Sequence, residues 1–172
     1  MEIIVSADGP CTTTGTVTWP GFQVACSLGR TGISLDKREG DGATPAGRYP
    51  LRRVLYRADR IPRPTTYLTV RAIGEADGWC DDPGSPDYNQ PIRLPVPVSH
   101  ERLWRTDALY DLVVIIGHND RPPVAGKGSA IFIHCRRADG GPTEGCIAMA
   151  RSDLTGLVSA CRPDAYVRIL PP

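Results

Sequence analysis

An apolar run, Ala130-Ile-Phe-Ile-His134, ends in a histidine, and after a short polar loop a Gly-Cys step, Gly145-Cys146, opens the next apolar segment. That layout can bring an imidazole and a thiol face to face. The thiolate is the reactive form of cysteine, and a neighbouring imidazole lowers the thiol pKa or removes its proton, so Cys146 and His134 read as nucleophile and base. Gly145 permits backbone conformations closed to other residues and exposes peptide N–H groups beside the sulfur, which suits an oxyanion hole. The implied reaction class is acyl transfer. Each residue alone also has a plain structural reading, because a free cysteine is often buried as a small hydrophobe and a strand-end histidine often serves only its own hydrogen bonds.

Further polar residues stand where they could meet a substrate. Gly74–Pro97 is dense in Gly, Pro, Asp and Asn, and loops of that length usually serve a site. Trp79, Tyr88 and Asn89 in it either wall a groove or anchor the loop. Asp81, with Asp82, offers acceptors for amino groups, the alternative being a solvated acidic pair. His118, beside Asn119 and Asp120, faces the same cleft or serves a turn. Arg136 and Arg137 directly follow His134 and could grip a carboxylate through two parallel hydrogen bonds, Arg136 being the preferred candidate and a surface ion pair the alternative.

The elements that must position these groups are mostly strands. Glu2–Ser6, Thr12–Trp19 and Phe22–Ser27 form an N-terminal meander bounded by Gly and Pro, and Arg48–Arg57 and Thr66–Ile73 alternate as strands do. Leu112–Ile116 and Ala130–His134 are continuous apolar runs, as expected of buried central strands. Glu101–Tyr110 reads as a short helix. A second helix, capped by Ser152 or Asp153, runs to about Cys161 with Leu154, Leu157, Val158 and Cys161 on one face, and Ala165–Leu170 forms a last strand. No repeat or linker divides the chain, so residues 1–172 form one mainly β domain with a few short peripheral helices.

Composition narrows the function classes. The 172 residues carry 18 Gly and 17 Pro, which favours turns and short strands over long helices. A net charge of +1 supplies no basic field for phosphate backbones, so nucleic acid is not an expected partner. No apolar run reaches the roughly 20 residues of a membrane span, and Met1–Pro10 lacks the basic and apolar regions of an export signal. Six cysteines lack any CxxC pair or zinc-type spacing, so no metal is expected, and their even number fits either up to three disulfides or a reduced state. Cys11, Cys26 and Cys161 read most simply as core residues.

The His134…Thr143-Glu-Gly-Cys146 pattern resembles the YkuD-type L,D-transpeptidase catalytic domain, whose motif is a His, a loop, then Ser/Thr-His-Gly-Cys. Lys37-Arg-Glu-Gly-Asp-Gly-Ala-Thr-Pro-Ala-Gly-Arg-Tyr49 is similar to that family's Thr-Pro-x-Gly segment followed by an aromatic. Trp79-Cys-Asp-Asp-Pro83, Tyr88-Asn89 and Gly117-His-Asn-Asp120 resemble its small proteobacterial branch. The resemblance spans roughly residues 30–155. It implies a compact YkuD-like β-sandwich in which Cys146 is the nucleophile, His134 the base and the Cys135 carbonyl the group that orients the imidazole. The N–H groups of Gly145 and Cys146 would form the oxyanion hole. It further implies action on peptidoglycan stem peptides at meso-diaminopimelate without a cofactor, a periplasmic location and, by default, a monomer. Cys80 and Cys135 would share the site region and pair if the protein is exported. Three departures stand out: Glu144 replaces the usual His, Ala148 replaces the usual Arg, and the His–Cys separation is short. A donor pocket altered in these three respects would suit a different stem or acceptor, with Thr143 and Glu144 among the residues that meet it. The small branch's 1–3 link, from the first-position L-alanine of one stem to the third-position diaminopimelate of another, is open beside the 3–3 link. Hydrolysis of the same acyl-enzyme, or peptidoglycan binding without catalysis, are the competing readings.

Overall fold

Side-chain alternation along two strands sets the layers of the molecule. The structure, a computed structural model, describes residues 1–172. Its strands are β1 (Glu2–Ala7), β2 (Thr14–Trp19), β3 (Phe22–Ser27), β4 (Ile33–Ser34), β5 (Thr44–Pro45), β6 (Gly47–Tyr56), β7 (Val70–Ala72), β8 (Asp77–Cys80), β9 (Pro91–Arg93), β10 (His100–Arg102), β11 (Leu112–Ile116), β12 (Phe132–Cys135), β13 (Ile147–Met149) and β14 (Tyr166–Ile169), with one helix, α1 (Arg151–Ala160). Nine strands form a sheet in the order β11-β12-β13-β3-β2-β1-β14-β6-β7, and a further pairing of β6 with β11 joins the sheet to itself. The mainly β sandwich is thus a closed one. The ten-residue β6 makes closure possible: Gly47–Pro50 pair with β14, and Leu51–Tyr56 pair with β11 across an irregularity at Ile115/Ile116.

Within β11 and β12, Leu112, Val114, Ile116, Ile133 and Cys135 turn to the main core, where Ile3, Val5, Val17 and the α1 residues Leu154, Leu157 and Val158 meet them. Val113, Ile115 and Phe132 turn the other way, into a second cluster with Leu55, Trp79, Leu103, Tyr110 and Cys146. A small antiparallel sheet, β10-β8-β9, contributes to this second layer through Trp79. Burial on both faces explains why β11 reads as an unbroken apolar run.

Four expectations need correction. Gly74–Pro97 is not one loop, because it contains β8 and β9. Glu101–Tyr110 forms no helix: His100–Arg102 pair with Gly78–Cys80 as β10, and the Arg57 and Arg60 side chains bond the carbonyls of Arg105, Thr106 and Asp107. The carbonyls of Arg105 and Thr106 are ones that a helix over 101–110 would have to give to its own N–H groups. The single helix has Ala150 at its N-cap with no side-chain cap, so Ser152 and Asp153 lie inside the first turn, where Asp153 complements the helix dipole. Cys11 is exposed, whereas Cys26 and Cys161 are buried, and all six thiols are free, Cys80 and Cys135 included.

Candidate active site

Strand parity places His134 on the same face as Phe132, toward the second cluster, while Cys135 points to the main core. Strand β13 lies parallel beside β12 with Ile133 opposite Ile147, so Cys146, just ahead of β13, comes level with Phe132. The sulfur is held by backbone. Cys146 Sγ accepts the Phe132 N–H at 3.3 Å, and the thiol donates to the Ala130 carbonyl at 3.2 Å. Ala130 itself stands at φ +52°, a conformation costly for a non-glycine residue, which turns this carbonyl toward the thiol.

The Cys135 carbonyl lies 2.8 Å from His134 Nδ1. A carbonyl only accepts, so Nδ1 carries the hydrogen and Nε2 keeps its lone pair. Tyr110 packs its ring edge-on against the imidazole with centroids 5.3 Å apart. Cys146 and His134 are 8% and 5% exposed, and burial drives both toward neutrality. It pushes the Cys146 thiol up to about 12 and the His134 imidazole down to about 4. At rest the two are thiol and imidazole, not an ion pair, and no hydrogen bond joins them.

The backbone before the sulfur admits only glycine. Gly145 has φ +131°, and a Cβ there would lie 2.7 Å from the Ala43 carbonyl oxygen. Its N–H donates to Thr143 Oγ1 at 3.1 Å, and the Thr143 hydroxyl donates to the Cys146 carbonyl at 2.7 Å. The expected oxyanion hole is therefore halved: the Gly145 N–H is occupied, and the Cys146 N–H remains without a partner. The buried Ser129 hydroxyl is also unpaired.

His134 and Cys146 line one cavity of about 440 Å³. Glu39, Asp81, Glu101 and Glu144 bring carboxylates to its wall, and Arg105 and Arg137 bring guanidinium groups. Asp81 Oδ1 is buried without a hydrogen-bond partner. Glu101 is bonded to Arg105 at 2.9 Å, but its burial still raises its pKa. Glu144 is mostly exposed and pairs with Arg30 at 2.8 Å. The wall carrying Arg137–Glu144 is tied back through Thr143, whose N–H donates to the Leu28 carbonyl at 2.9 Å and whose carbonyl accepts the Arg30 N–H at 2.8 Å. The Ser27 hydroxyl adds a bond to the Gly140 carbonyl at 2.9 Å.

Of the residues expected to meet substrate, Asp81, Thr143 and Glu144 line this cavity, and five others do not. Asn89, at φ +56°, is a structural hub: its Oδ1 accepts Trp79 Nε1–H at 2.9 Å and the Ala130 N–H at 3.1 Å, and its Nδ2 donates to the carbonyls of His118 and Asn119. Trp79 lies beneath the site, edge-on to Phe132. Tyr88 donates its hydroxyl to Glu39. The His118 ring bonds the Lys127 carbonyl through Nε2 at 3.0 Å. Arg136 faces a different surface depression, and Arg137, paired with Asp139 at 2.9 Å, is the arginine that reaches the cavity.

Sequence reasoning missed Glu101, Arg105, Tyr110 and Ser129. Reading 101–110 as a helix hid the first three, and no periodic signal marked them, because β10 is the polar triplet His100-Glu101-Arg102, with Glu101 directly across from Trp79 in the β8–β10 ladder. It also passed over Lys37, a buried lysine paired with Asp41. No group of three or more His, Cys, Asp or Glu side chains is placed to hold a metal ion, and no helix is long and apolar enough to cross a membrane.

Comparison with known proteins bears on the same stretch of chain. The family described as the L,D-transpeptidase catalytic domain, YkuD, matches residues 11–169, reaching beyond the motif-bearing stretch at both ends. Among solved structures, the chain is similar to the crystal structure of L,D-transpeptidase 1 of Mycobacterium tuberculosis, at 14% identity and a TM-score of 0.38. That alignment covers 99% of this chain and 62% of the other. No curated protein matches the chain.

Proposed function

Because the chain belongs to the YkuD family of L,D-transpeptidase catalytic domains, we propose that it is a cysteine acyltransferase that crosslinks peptidoglycan stem peptides through an acyl-enzyme on Cys146. The observation that carries this reading is the pairing of an imidazole locked by the Cys135 carbonyl, with Nε2 left free to accept a proton, and a thiol in the same cavity. In the proposed first step the thiol leaves the Ala130 carbonyl, its proton passes to His134 Nε2, and Sγ bonds to the carbonyl carbon of the L-centre of diaminopimelate. Electron density moves to the carbonyl oxygen, beside the free Cys146 N–H. The bond to the terminal D-residue then breaks, and its amine departs with the proton held by His134. A second amine attacks the thioester, gives its proton to Nε2 and forms the new amide, and the proton returns to Sγ. No cofactor enters this scheme.

The carboxylates of Asp81, Glu101 and Glu39 suit a substrate that brings ammonium groups, and Arg105 and Arg137 suit its carboxylates. A zwitterionic diaminopimelate side chain has both. Such a substrate lies outside the cytoplasmic membrane, so the periplasm is the proposed site of action. The test is incubation of the purified protein with disaccharide-tetrapeptides, with Cys146→Ala beside it, and mass spectrometry of the products. Dimers lost in Cys146→Ala are expected, and fragmentation assigns the bond as 3–3 or 1–3. Tripeptide alone would replace the transferase by a carboxypeptidase, and absence of turnover in the unaltered protein would overturn the proposal in favour of a binding domain.

A further inference from the structure

Lys37 is a buried cation that the acyl-transfer scheme leaves unused. Its side chain is 6% exposed, and burying an ammonium is costly unless it is paired. Its partner is Asp41, whose carboxylate also accepts the N–H groups of Arg38 at 2.7 Å and Ala43 at 2.8 Å and is itself 26% exposed. Asp41 therefore shares its charge with two amides and with solvent, and the ammonium is not fully offset.

Two glycines make room for this lysine. Its Nζ lies 3.4 Å from the point that a Cβ on Gly145 would occupy, and its Cγ and Cε lie 2.9 Å from the corresponding point on Gly128. Gly145 immediately precedes Cys146, and Gly128 leads through Ser129 to Ala130, whose carbonyl takes the thiol hydrogen. The cation thus sits behind both backbone segments that hold the sulfur. With the Gly145 N–H committed to Thr143, a single free N–H faces the charge that develops at Cys146.

We propose that Lys37 is a positioning residue of this site: its ammonium, acting across Gly145, stabilises the negative charge that forms on Cys146 Sγ and is passed to the carbonyl oxygen of the substrate. The inference rests on the reading of Cys146 as nucleophile. Electrostatics around the sulfur agree in sign, since Lys37 draws the thiol pKa down while Glu101, on the cavity side, and burial push it up. His134 is neutral, and Tyr110 stays protonated because it is buried. Around Lys37 stand Asp41 and His118 and, along a shared surface depression, Asp36 and Lys127, which pair with each other at 3.2 Å; burial together with the nearby ammonium lowers the His118 pKa.

The test uses alkylation of Cys146 by iodoacetamide, followed by mass spectrometry between pH 7 and 10 in a Cys11→Ser background, because Cys11 is the exposed thiol. Lys37→Met should slow alkylation at a fixed pH by about tenfold, the equivalent of one pKa unit. Asp41→Asn, which removes the counter-charge and leaves the ammonium, should speed it. Opposite signs are the signature of charge. Loosened packing would lower the melting temperature of both variants and move reactivity in one direction, and that outcome, or no change in Lys37→Met, overturns the proposal. If Lys37→Met does not fold, Asp41→Asn decides alone: an alkylation rate that does not rise overturns it. Alkylation needs no peptidoglycan, so the expected pattern without muropeptide turnover would defeat the transferase reading and leave the charge assignment standing.

Discussion

His134 is a residue the protein keeps neutral at the expense of acid stability. Its ordinary pKa of 6.5 falls to about 4 in the folded chain, chiefly through burial. Between these values the unfolded chain takes up a proton that the folded chain refuses, so stability drops as pH falls from about 6.5 to 4. The loss approaches roughly 3 kcal/mol. His118 shifts in the same direction, and Asp41 and Asp107, whose pKa values are depressed, also lose their contribution in acid. His134→Gln should therefore flatten, without abolishing, the fall in melting temperature between pH 6.5 and 4. Thermal denaturation of both proteins across that range measures it, and parallel curves would contradict the assignment. The same neutrality implies that Cys146 is slow toward simple alkylators at neutral pH and that Cys11 labels first, reversing the order a pre-formed thiolate would give.

Asn89 acts at the scale of elements, because it fastens the turn after β8 to the segment that enters β12. Removing its amide strands the Trp79 indole N–H and the Ala130 N–H in the interior, and each buried unpaired donor costs about 1–3 kcal/mol. Asn89→Ala should lower stability by about 3 kcal/mol in urea unfolding and also slow acylation of Cys146, since Ala130 would lose what holds its carbonyl on the thiol. Activity retained at full rate in the folded variant would separate the hub from the site. The sequence disclosed much of the frame and pointed to His134 and Cys146, which the fold brings to one cavity. Phe22–Ser27 and Leu112–Ile116 appear with the bounds that alternation and apolar runs imply, and α1 ends within a residue of its expected limit. What it hid was the β10-β8-β9 sheet, whose three- and four-residue strands sit among Pro, Gly and Asp and pair across stretches too irregular for periodicity to mark. Glu101 and Tyr110 were hidden for the same reason. Asn89 and His118 were seen as polar groups near a cleft, whereas their hydrogen bonds, invisible in a list of residues, turn them inward.

At the scale of the molecule, closure through β6 and β11 leaves no separable half. Cys26 lies in β3, Cys80 in β8, Cys135 in β12 and Cys161 at the end of α1, and all four are buried. They should become reactive at one denaturant midpoint, coincident with loss of far-ultraviolet circular dichroism, as a single cooperative unit requires. Earlier labelling of Cys80 alone would show that the small sheet opens by itself. The connection from β12 to β13 has a different standing. It joins two parallel neighbours without a helix, its ends fixed by the strands that carry His134 and lead from Cys146, and the wall it forms is tied to β3 and the turn after it through Gly140 and Thr143. Arg137–Pro142 therefore spans fixed strand ends with a tie of its own at Gly140, and on the proposed function a change in its length or charge on either side of that tie would alter which peptide is welcomed while His134 and Cys146 keep their register.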